Sequence, residues 1–143
     1  MSEKTDWTLI RDKIRRPKDR VDRIENGVGF GTPDVNFCGN GVECWIEMKS
    51  PIEPVRLSTP LFGSNHKVSQ DQKNWMKRQI DAGGRCWFLI GTDKRWMLIH
   101  GRHADHINSM TVNTLISLSH WHATKPVKDP IIWQMLRNVL VKP

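Results

Sequence analysis

Cysteine and long apolar segments are both scarce in this sequence. Its three cysteines, Cys38, Cys44 and Cys86, form no Cys-x-x-Cys pair and are odd in number, so a disulfide framework is not predicted. No apolar run approaches the roughly 20 residues that a membrane-spanning helix needs. These two features argue against a disulfide-stapled secreted scaffold and an integral membrane protein, and they predict a reducing cytoplasm as the compartment.

Acidic residues are the minority among the charged groups. The chain has 15 Asp and Glu against 22 Lys and Arg, a formal net charge of +7 over 143 residues. Such a surplus of positive charge is typical of proteins that bind polyanions, nucleic acid above all. The length predicts one domain, residues 1–143, with a core of its own. The six histidines supply no spaced set of zinc ligands, so structural or surface positions are expected for them.

The segment from Gly31 to Lys49 organises the prediction, because Asn40-Gly41 at its centre favours a two-residue hairpin turn. The cross-strand pairs that follow from this turn are Gly39 with Val42, Cys38 with Glu43, Phe37 with Cys44 and Val35 with Ile46. One pair further outward, Asp34 lies opposite Glu47.

Alternation of side chains then produces one apolar and one polar face. The apolar face carries Val35, Phe37, Cys44, Ile46 and Met48; the polar face carries Asp34, Asn36, Glu43, Trp45, Glu47 and Lys49. Carboxylates opposite each other on neighbouring strands, with Cβ atoms about 5 Å apart, repel. A divalent cation bound by their oxygens offsets that repulsion. With Lys49 beside them, Asp34 and Glu47 predict a site that hydrolyses phosphodiesters.

Pro33-Asp34 followed by Glu47-Met48-Lys49 resembles the motif of the PD-(D/E)XK nuclease superfamily. The resemblance covers about Arg23 to Ile90. It includes the glycine before the Pro-Asp pair, the two apolar strands and a later helix that opens Ser69-Gln70-Asp71-Gln72. The order of these features is similar to that of small stand-alone phage nucleases and the VRR-NUC group.

The resemblance implies a restriction-endonuclease-like α/β (α+β) fold, with a central mixed sheet of about four to five strands flanked by helices. It implies that Asp34 and Glu47 bind Mg²⁺, or Mn²⁺ in its place, and that Lys49 positions the attacking water and the scissile phosphate. Gln72 is expected to reach the active-site edge, although it also has the position of a capping-box residue for Ser69. Glu25 is the candidate for an additional metal-binding acid, which family members often carry upstream, usually on the N-terminal helix.

The spacing of apolar residues, together with capping residues, glycines and prolines, predicts the remaining helices and strands. Helices are expected over 6–16, Ser69 to Ala82 and Asp129 to Val141, with one or two short helices in 103–119; strands are expected over Val21 to Glu25, Cys86 to Ile90 and Trp96 to Ile99. The apolar stripe of the last helix is expected to comprise Ile132, Met135, Leu136, Val139 and Leu140. Residues 50–68 contain three prolines and no period, which predicts a loop that faces the substrate or contacts a second copy.

A set of basic residues is expected to contact the nucleic-acid backbone: Arg15, Arg16, Arg20, Arg23, Arg56, His66, Lys67 and Lys73. For the N-terminal members, a solvated helix face is the alternative. In the 50–68 loop, Leu57, Leu61 and Phe62 are expected either to pack or to act as wedges.

The sequence therefore predicts a metal-dependent DNA endonuclease that selects branched DNA, in the manner of a Holliday-junction resolvase, and acts as a homodimer. If the protein is phage-encoded, its compartment is the cytoplasm of a bacterial host. Two alternatives remain open. One is a sequence-specific endonuclease of restriction or homing type with the same metal site, and the other is a catalytically inactive nucleic-acid-binding module.

Overall fold

A six-stranded mixed sheet with helices on both faces organises residues 2–24, 30–63 and 66–143, which the computed structural model describes. The strands, in spatial order, are β1 (Arg20–Arg23), β2 (Val35–Gly39), β3 (Val42–Lys49), β4 (Cys86–Gly91), β5 (Arg95–His100) and β6 (Trp121–Thr124). The helices are α1 (Glu3–Ile14), α2 (Gln70–Asp81), α3 (Val112–Leu118) and α4 (Pro130–Leu140), with short 3-10 helices at Gly101–His103 and Ile107–Ser109. β3 and β4 pair in parallel, whereas the other neighbours pair antiparallel. The predicted fold class is confirmed.

The central hairpin has the predicted turn and register. Asn40 and Gly41 both have positive φ, 53° and 76°, which is the backbone conformation that a tight two-residue turn requires. The four pairs from Gly39 with Val42 to Val35 with Ile46 are those expected from the sequence. The register of this strand pair is strongly specified, because a slip of one residue would turn every apolar side chain to the wrong face of the sheet.

Two apolar layers cover the sheet. On one face α1 and α4 pack over Val35, Phe37, Cys44, Ile46 and Met48, so the predicted apolar face of the hairpin is buried. On the other face the residues from α2, the 3-10 helices and α3 pack over alternate positions of β4 and β5. The continuous apolar run of β4 is explained by this double coverage. None of the helices in the described ranges is both long and apolar enough to cross a membrane.

Helix α2 begins as the sequence predicts. The Ser69 side chain accepts a hydrogen bond from the backbone N–H of Gln72, and the Gln72 side chain accepts one from the backbone N–H of Ser69. Gly31, with φ +77°, lies against this helix start: a Cβ on Gly31 would come within 2.2 Å of the Asp71 carbonyl oxygen. A glycine is therefore required at this position by the close approach of the backbone of α2.

Several element boundaries differ from expectation. Helix α1 begins at Glu3 rather than residue 6, because the Ser2 side chain caps it by accepting from the N–H of Thr5. β1 begins and ends earlier than predicted, at Arg20 and Arg23. The sheet has six strands rather than four to five because Trp121–Thr124 pairs with β5. This strand is too short for its alternation to be recognised from the sequence.

Helix α4 lies where it was predicted, with Asp129 as N-cap, and four of the five expected stripe residues, Ile132, Leu136, Val139 and Leu140, lie in the core or pack against it. Trp133, Leu136 and Leu140 are buried, whereas Met135 is 51 % exposed. Arg137 is also buried on this face, where it binds Asp19. The buried face thus also includes Trp133 and Arg137, and the pairing of Arg137 with Asp19 joins residues too far apart for a local pattern to reveal.

Candidate active site

Asp34 and Glu47 lie side by side at the open end of the hairpin. Val35 pairs with Ile46, so Asp34, one residue before β2, lies across from Glu47. The Asp34 Oδ2 atom accepts a hydrogen bond of 3.0 Å from the backbone N–H of Met48, which ties the acid to β3. Glu47 is only 4 % exposed. Burial, followed by the negative charge of Asp34, raises the pKa of Glu47 to about 8, although the nearby Lys49 acts in the opposite direction.

Lys49 is held beside these carboxyls. Its Nζ atom lies 3.8 Å from Glu47 Oε2 and donates to Gln72 Oε1 at 3.2 Å and to the Lys67 carbonyl oxygen at 3.4 Å. The residue is 7 % exposed. An ammonium group has three N–H donors. Two have acceptors among the described residues, so one N–H can reach a water or a phosphate oxygen.

Gln72 satisfies both of the roles that the sequence placed in competition. Its Oε1 atom accepts from the backbone N–H of Ser69 and from Lys49, while its Nε2 atom donates to Glu47 Oε2 at 2.6 Å. Only this orientation of the amide meets both donors with its oxygen and the carboxylate with its nitrogen. The start of α2 is thus fastened to the carboxylate cluster through one side chain.

The chemistry of this cluster fits a divalent cation. Glu47 Oε1 is buried and has no hydrogen-bond partner among the described residues, although a buried carboxylate oxygen normally has one. The cluster contains two carboxyls and one ammonium group, so it has an excess of negative charge when both carboxyls are ionised. Within the ranges 2–24, 30–63 and 66–143, however, no three His, Cys, Asp or Glu side chains are grouped closely enough to hold a metal ion. Asp34 and Glu47 are the residues that could bind one.

Glu3 is an acid near this site that the sequence analysis did not single out. It lies in the first turn of α1, and its pKa is raised by burial and then by the charge of Asp34. Its Oε1 atom is 3.7 Å from His66 Nδ1. An acid in the first turn of the N-terminal helix would have pointed to Glu3. The predicted helix, however, began at residue 6, three residues after the helix begins in the structure. Glu25, the predicted third acid, falls outside the described residues.

The predicted phosphate-contacting residues form two separate groups. Arg15 and Arg16 follow the far end of α1, about 18 Å from Glu3 along the helix axis, and Arg20 pairs with Cys38 near the hairpin turn. Arg16 donates to Gln134, and Arg20 bonds Asp22. These three residues lie away from the carboxylates.

The remaining basic residues are closer to the site or on its flanks. Arg23 pairs with Val35, next to Asp34, and lines a cavity of about 720 Å³ with Glu3 and His66. Lys67 reaches the site through its carbonyl oxygen, while Arg56 is exposed on the loop after β3. Lys73 lines a smaller, separate hollow with Lys77 and Arg102.

The long loop after Lys49 divides into an exposed and a buried part. It contains no helix or strand in its described portion, as predicted. Leu57 is 69 % exposed, but Leu61 and Phe62 are buried in the core under α2 and α3. Leu61 and Phe62 therefore pack rather than act as wedges, because they fill the apolar layer on that face.

Comparisons with known proteins support the fold and leave the family open. No protein-family profile matches the chain. The structure is similar to that of Hjc, a Holliday junction resolvase from the archaeal hyperthermophile Archaeoglobus fulgidus, with a TM-score of 0.52 and 15 % identity, covering 80 % of this chain and 88 % of that one. At this level of identity the similarity concerns the fold alone. The mixed sheet flanked by helices is thus a resolvase-like fold.

One curated protein also matches in sequence. Protein Nef of human immunodeficiency virus type 1 (group M subtype B, isolate ARV2/SF2) is 27 % identical over 94 residues, which cover 57 % of this chain. The chain spans 45 % of the length of that protein. Neither the identity nor the coverage establishes a shared family.

Proposed function

We propose that the protein is a metal-dependent DNA endonuclease that cleaves branched DNA. The observation that carries the proposal is the position of two carboxyls, half-buried Asp34 and buried Glu47, side by side in one cluster with the buried ammonium group of Lys49 next to Glu47. Its partly unsatisfied carboxylate and excess acid are what a phosphodiester hydrolase with a bound cation requires. The resolvase-like fold supports the same class of activity.

Asp34 and Glu47 would hold Mg²⁺ or Mn²⁺, with Glu3 as a further acid nearby. A bound cation of this kind lowers the pKa of its water and neutralises charge on the phosphate. Gln72 donates to Glu47 Oε2 and so orients the carboxylate, leaving Oε1 for the cation. Lys49 uses its remaining N–H to hold the attacking water or to stabilise the negative charge that develops on the phosphate.

The substrate is proposed to be DNA with a branch point, cut by a homodimer. A two-fold symmetric pair of active sites would match a symmetric junction. The net charge of +7 supports a polyanionic partner. Arg23, beside Asp34 and on the wall of the cavity that also contains Glu3, would contact the backbone near the cut. The more distant Arg15, Arg16 and Arg20 would contact it further along.

A cleavage assay with a matched pair of variants tests this function. Synthetic four-way junctions and linear duplexes of the same sequence are incubated with wild-type protein in Mg²⁺ and in EDTA. We expect Mg²⁺-dependent cleavage of the junction, reduced on the order of 10³-fold in Glu47→Gln. Glu43→Gln removes an exposed acid from the same strand and the same polar face, so it should cleave at the wild-type rate.

Other outcomes of the same assay distinguish the alternatives. Cleavage of linear duplex at a defined sequence would replace the proposed substrate with a sequence-specific one. Binding of DNA without cleavage in Mg²⁺ or Mn²⁺ would contradict the nuclease and support a binding module. Equal loss of activity in Glu43→Gln and Glu47→Gln would show that the carboxylate pair is not the catalytic feature.

A further inference from the structure

The loop after the candidate site exposes a set of apolar side chains that nothing in the described residues covers. Ile52, Val55 and Leu57 are 76 %, 101 % and 69 % exposed, within eight residues of Lys49. Arg56, also exposed, lies between the last two. We define residues Val55 to Leu57 as the tip. Three of the six large apolar side chains that are exposed among the described residues fall within 52–57, and a concentration of exposed apolar groups is a feature of binding surfaces.

The tip is carried on a well-anchored base. The Glu53 side chain, only 6 % exposed, accepts two hydrogen bonds from Arg95, at 2.8 and 3.2 Å, and one of 2.6 Å from the Thr92 hydroxyl. The backbone N–H of Glu53 donates to Asp93 Oδ1 at 2.8 Å. A bidentate Arg–carboxylate pair is a strong and geometrically specific contact. Glu53 therefore fixes the loop to the β4–β5 turn just before the tip.

The far end of the loop is anchored as well. Leu61 and Phe62 are buried, and the N–H of Leu61 donates to the Met110 carbonyl oxygen at 3.1 Å. The tip is therefore exposed although the loop that carries it is held at both ends. A rigid apolar projection loses little conformational entropy when a ligand covers it.

The surroundings of the tip favour nucleic acid as the ligand. Ile52 lines the cavity of about 720 Å³ that also contains Glu3, and the basic groups of Lys4, Arg23 and Lys125 lie on its wall. Arg56 adds a cation at the tip itself. A second copy docked on this surface through its own tip would place its Arg56 among these cations, whereas the phosphates of DNA complement them. Aliphatic side chains inserted at a base step, with cations on the flanking phosphates, are a known mode of DNA binding.

We propose that Val55 and Leu57 contact unpaired or unstacked bases next to the scissile phosphate while Arg56 binds the flanking backbone. Selection of branched substrates would then come from the tip, because bases at a branch can unstack at lower cost than bases inside a duplex. The proposal rests on the proposed function for the position of the cut, but contact between tip and bases is measurable without cleavage.

The test uses full-length protein in EDTA and DNA labelled with 2-aminopurine at the branch point or at the same position in a linear duplex. Wild-type protein should increase the fluorescence at the branch and bind the branched DNA more tightly than the duplex. Val55→Ser/Leu57→Ser should show no fluorescence increase, and its ratio of branched-DNA affinity to duplex affinity should fall about tenfold. Its affinity for the linear duplex should stay within about twofold of the wild-type value. Ile131→Ser/Met135→Ser replaces two exposed apolar residues of α4 and should behave as wild type.

A second variant tests the anchor. Glu53→Gln retains every side chain of the tip but removes the carboxylate that binds Arg95, so the preference for branched DNA should fall between those of wild type and the double variant. Circular dichroism of each variant checks the fold.

Two results would overturn the proposal. One is an unchanged fluorescence response and preference in Val55→Ser/Leu57→Ser. The other is a wild-type dimer in sedimentation that this variant converts to monomer with no change in base contact, which would assign the tip to an interface between copies. Absence of cleavage in Mg²⁺ would instead contradict the nuclease function and leave the fluorescence result standing.

Discussion

Two buried charge clusters lie at opposite ends of the central hairpin, and they differ in how their charges are balanced. At the turn end, beside Gly39, Arg137 binds both oxygens of Asp19 at 2.7 and 3.3 Å, and the N–H of Arg16 donates to the same carboxylate. At the open end, two carboxyls, Asp34 and Glu47, lie side by side with one ammonium group, that of Lys49, 3.8 Å from Glu47 Oε2. The first cluster pairs one acid with one base, although Arg137 Nη1 has no partner among the described residues.

The difference indicates which cluster serves the fold and which serves chemistry. A carboxylate paired with a buried guanidinium has its charge compensated by the protein itself. Glu47 is only partly compensated by Lys49 and Gln72: burial raises its pKa to about 8, and its Oε1 atom has no partner among the described residues. Groups perturbed in this way are concentrated at functional sites. We therefore expect substitutions of Asp19 and Arg137 to change the stability of the protein. Substitutions of Asp34 and Glu47 are expected to change its activity.

The largest effect on stability is expected from breaking the balanced cluster. Arg137→Ala leaves Asp19 buried without its cation and should lower the free energy of unfolding by about 3–5 kcal/mol. Glu47→Gln replaces an acid whose pKa of about 8 leaves it largely protonated at neutral pH, so the protein should be about as stable in EDTA, because one neutral polar group takes the place of another. Urea unfolding of both variants measures the contrast.

The double variant Asp19→Asn/Arg137→Met is the control for this comparison. It removes both charges and keeps an acceptor for the Arg16 N–H, so it should recover much of the loss seen in Arg137→Ala. Equal destabilisation by Arg137→Ala and Glu47→Gln would contradict the distinction between the two clusters.

An intermediate effect is expected at Gln72, which belongs to the fold and to the site. Ser69→Ala removes the side chain that accepts from the Gln72 N–H at the helix start. Gln72→Ala removes the reciprocal bond to the Ser69 N–H together with the contacts to Glu47 and Lys49. Both should lower the free energy of unfolding by about 1 kcal/mol. Only Gln72→Ala should also lower kcat, by about 10–100-fold. Parallel unfolding and cleavage measurements separate the roles, and a kcat loss shared by both variants would mean that the cap alone accounts for it.

The smallest effect is expected at a third ionisable group, which lies away from both clusters. His100 packs edge-on against Trp87, and burial lowers the pKa of His100 to about 4, with Arg102 and the neighbouring histidines acting in the same direction. Because the unfolded chain binds the proton more tightly, stability should be complete above about pH 6.5 and decrease as the pH falls toward 4.

The loss attributable to His100 should be about 1 kcal/mol, discounted for its partial exposure. His100→Asn keeps an acceptor for the Arg102 N–H and should flatten the stability profile between pH 4 and 6.5 in thermal unfolding. An unchanged pH dependence would show that His100 does not titrate as its surroundings predict.

Local patterns were sufficient for the hairpin and for the starts of α2 and α4. The Asn40-Gly41 turn and the two-residue alternation of strands place Asp34 opposite Glu47, and Ser69 with Gln72 marks the start of α2, because each relation involves residues a few positions apart. The short strand β6 and the early start of α1 were missed, since neither has enough periodic residues to be distinguished from a loop.

The sequence alone determined that two acids and a lysine share one face of a hairpin, because backbone pleating and turn chemistry are local. Only the tertiary structure decided that Gln72 bonds Glu47, that Glu3 joins the same region, and that Arg137 is buried against Asp19. These contacts join residues 25 or more positions apart. They depend on how helices α1, α2 and α4 pack against the sheet, and that packing is set by apolar surfaces across the whole chain rather than by the spacing of neighbouring residues.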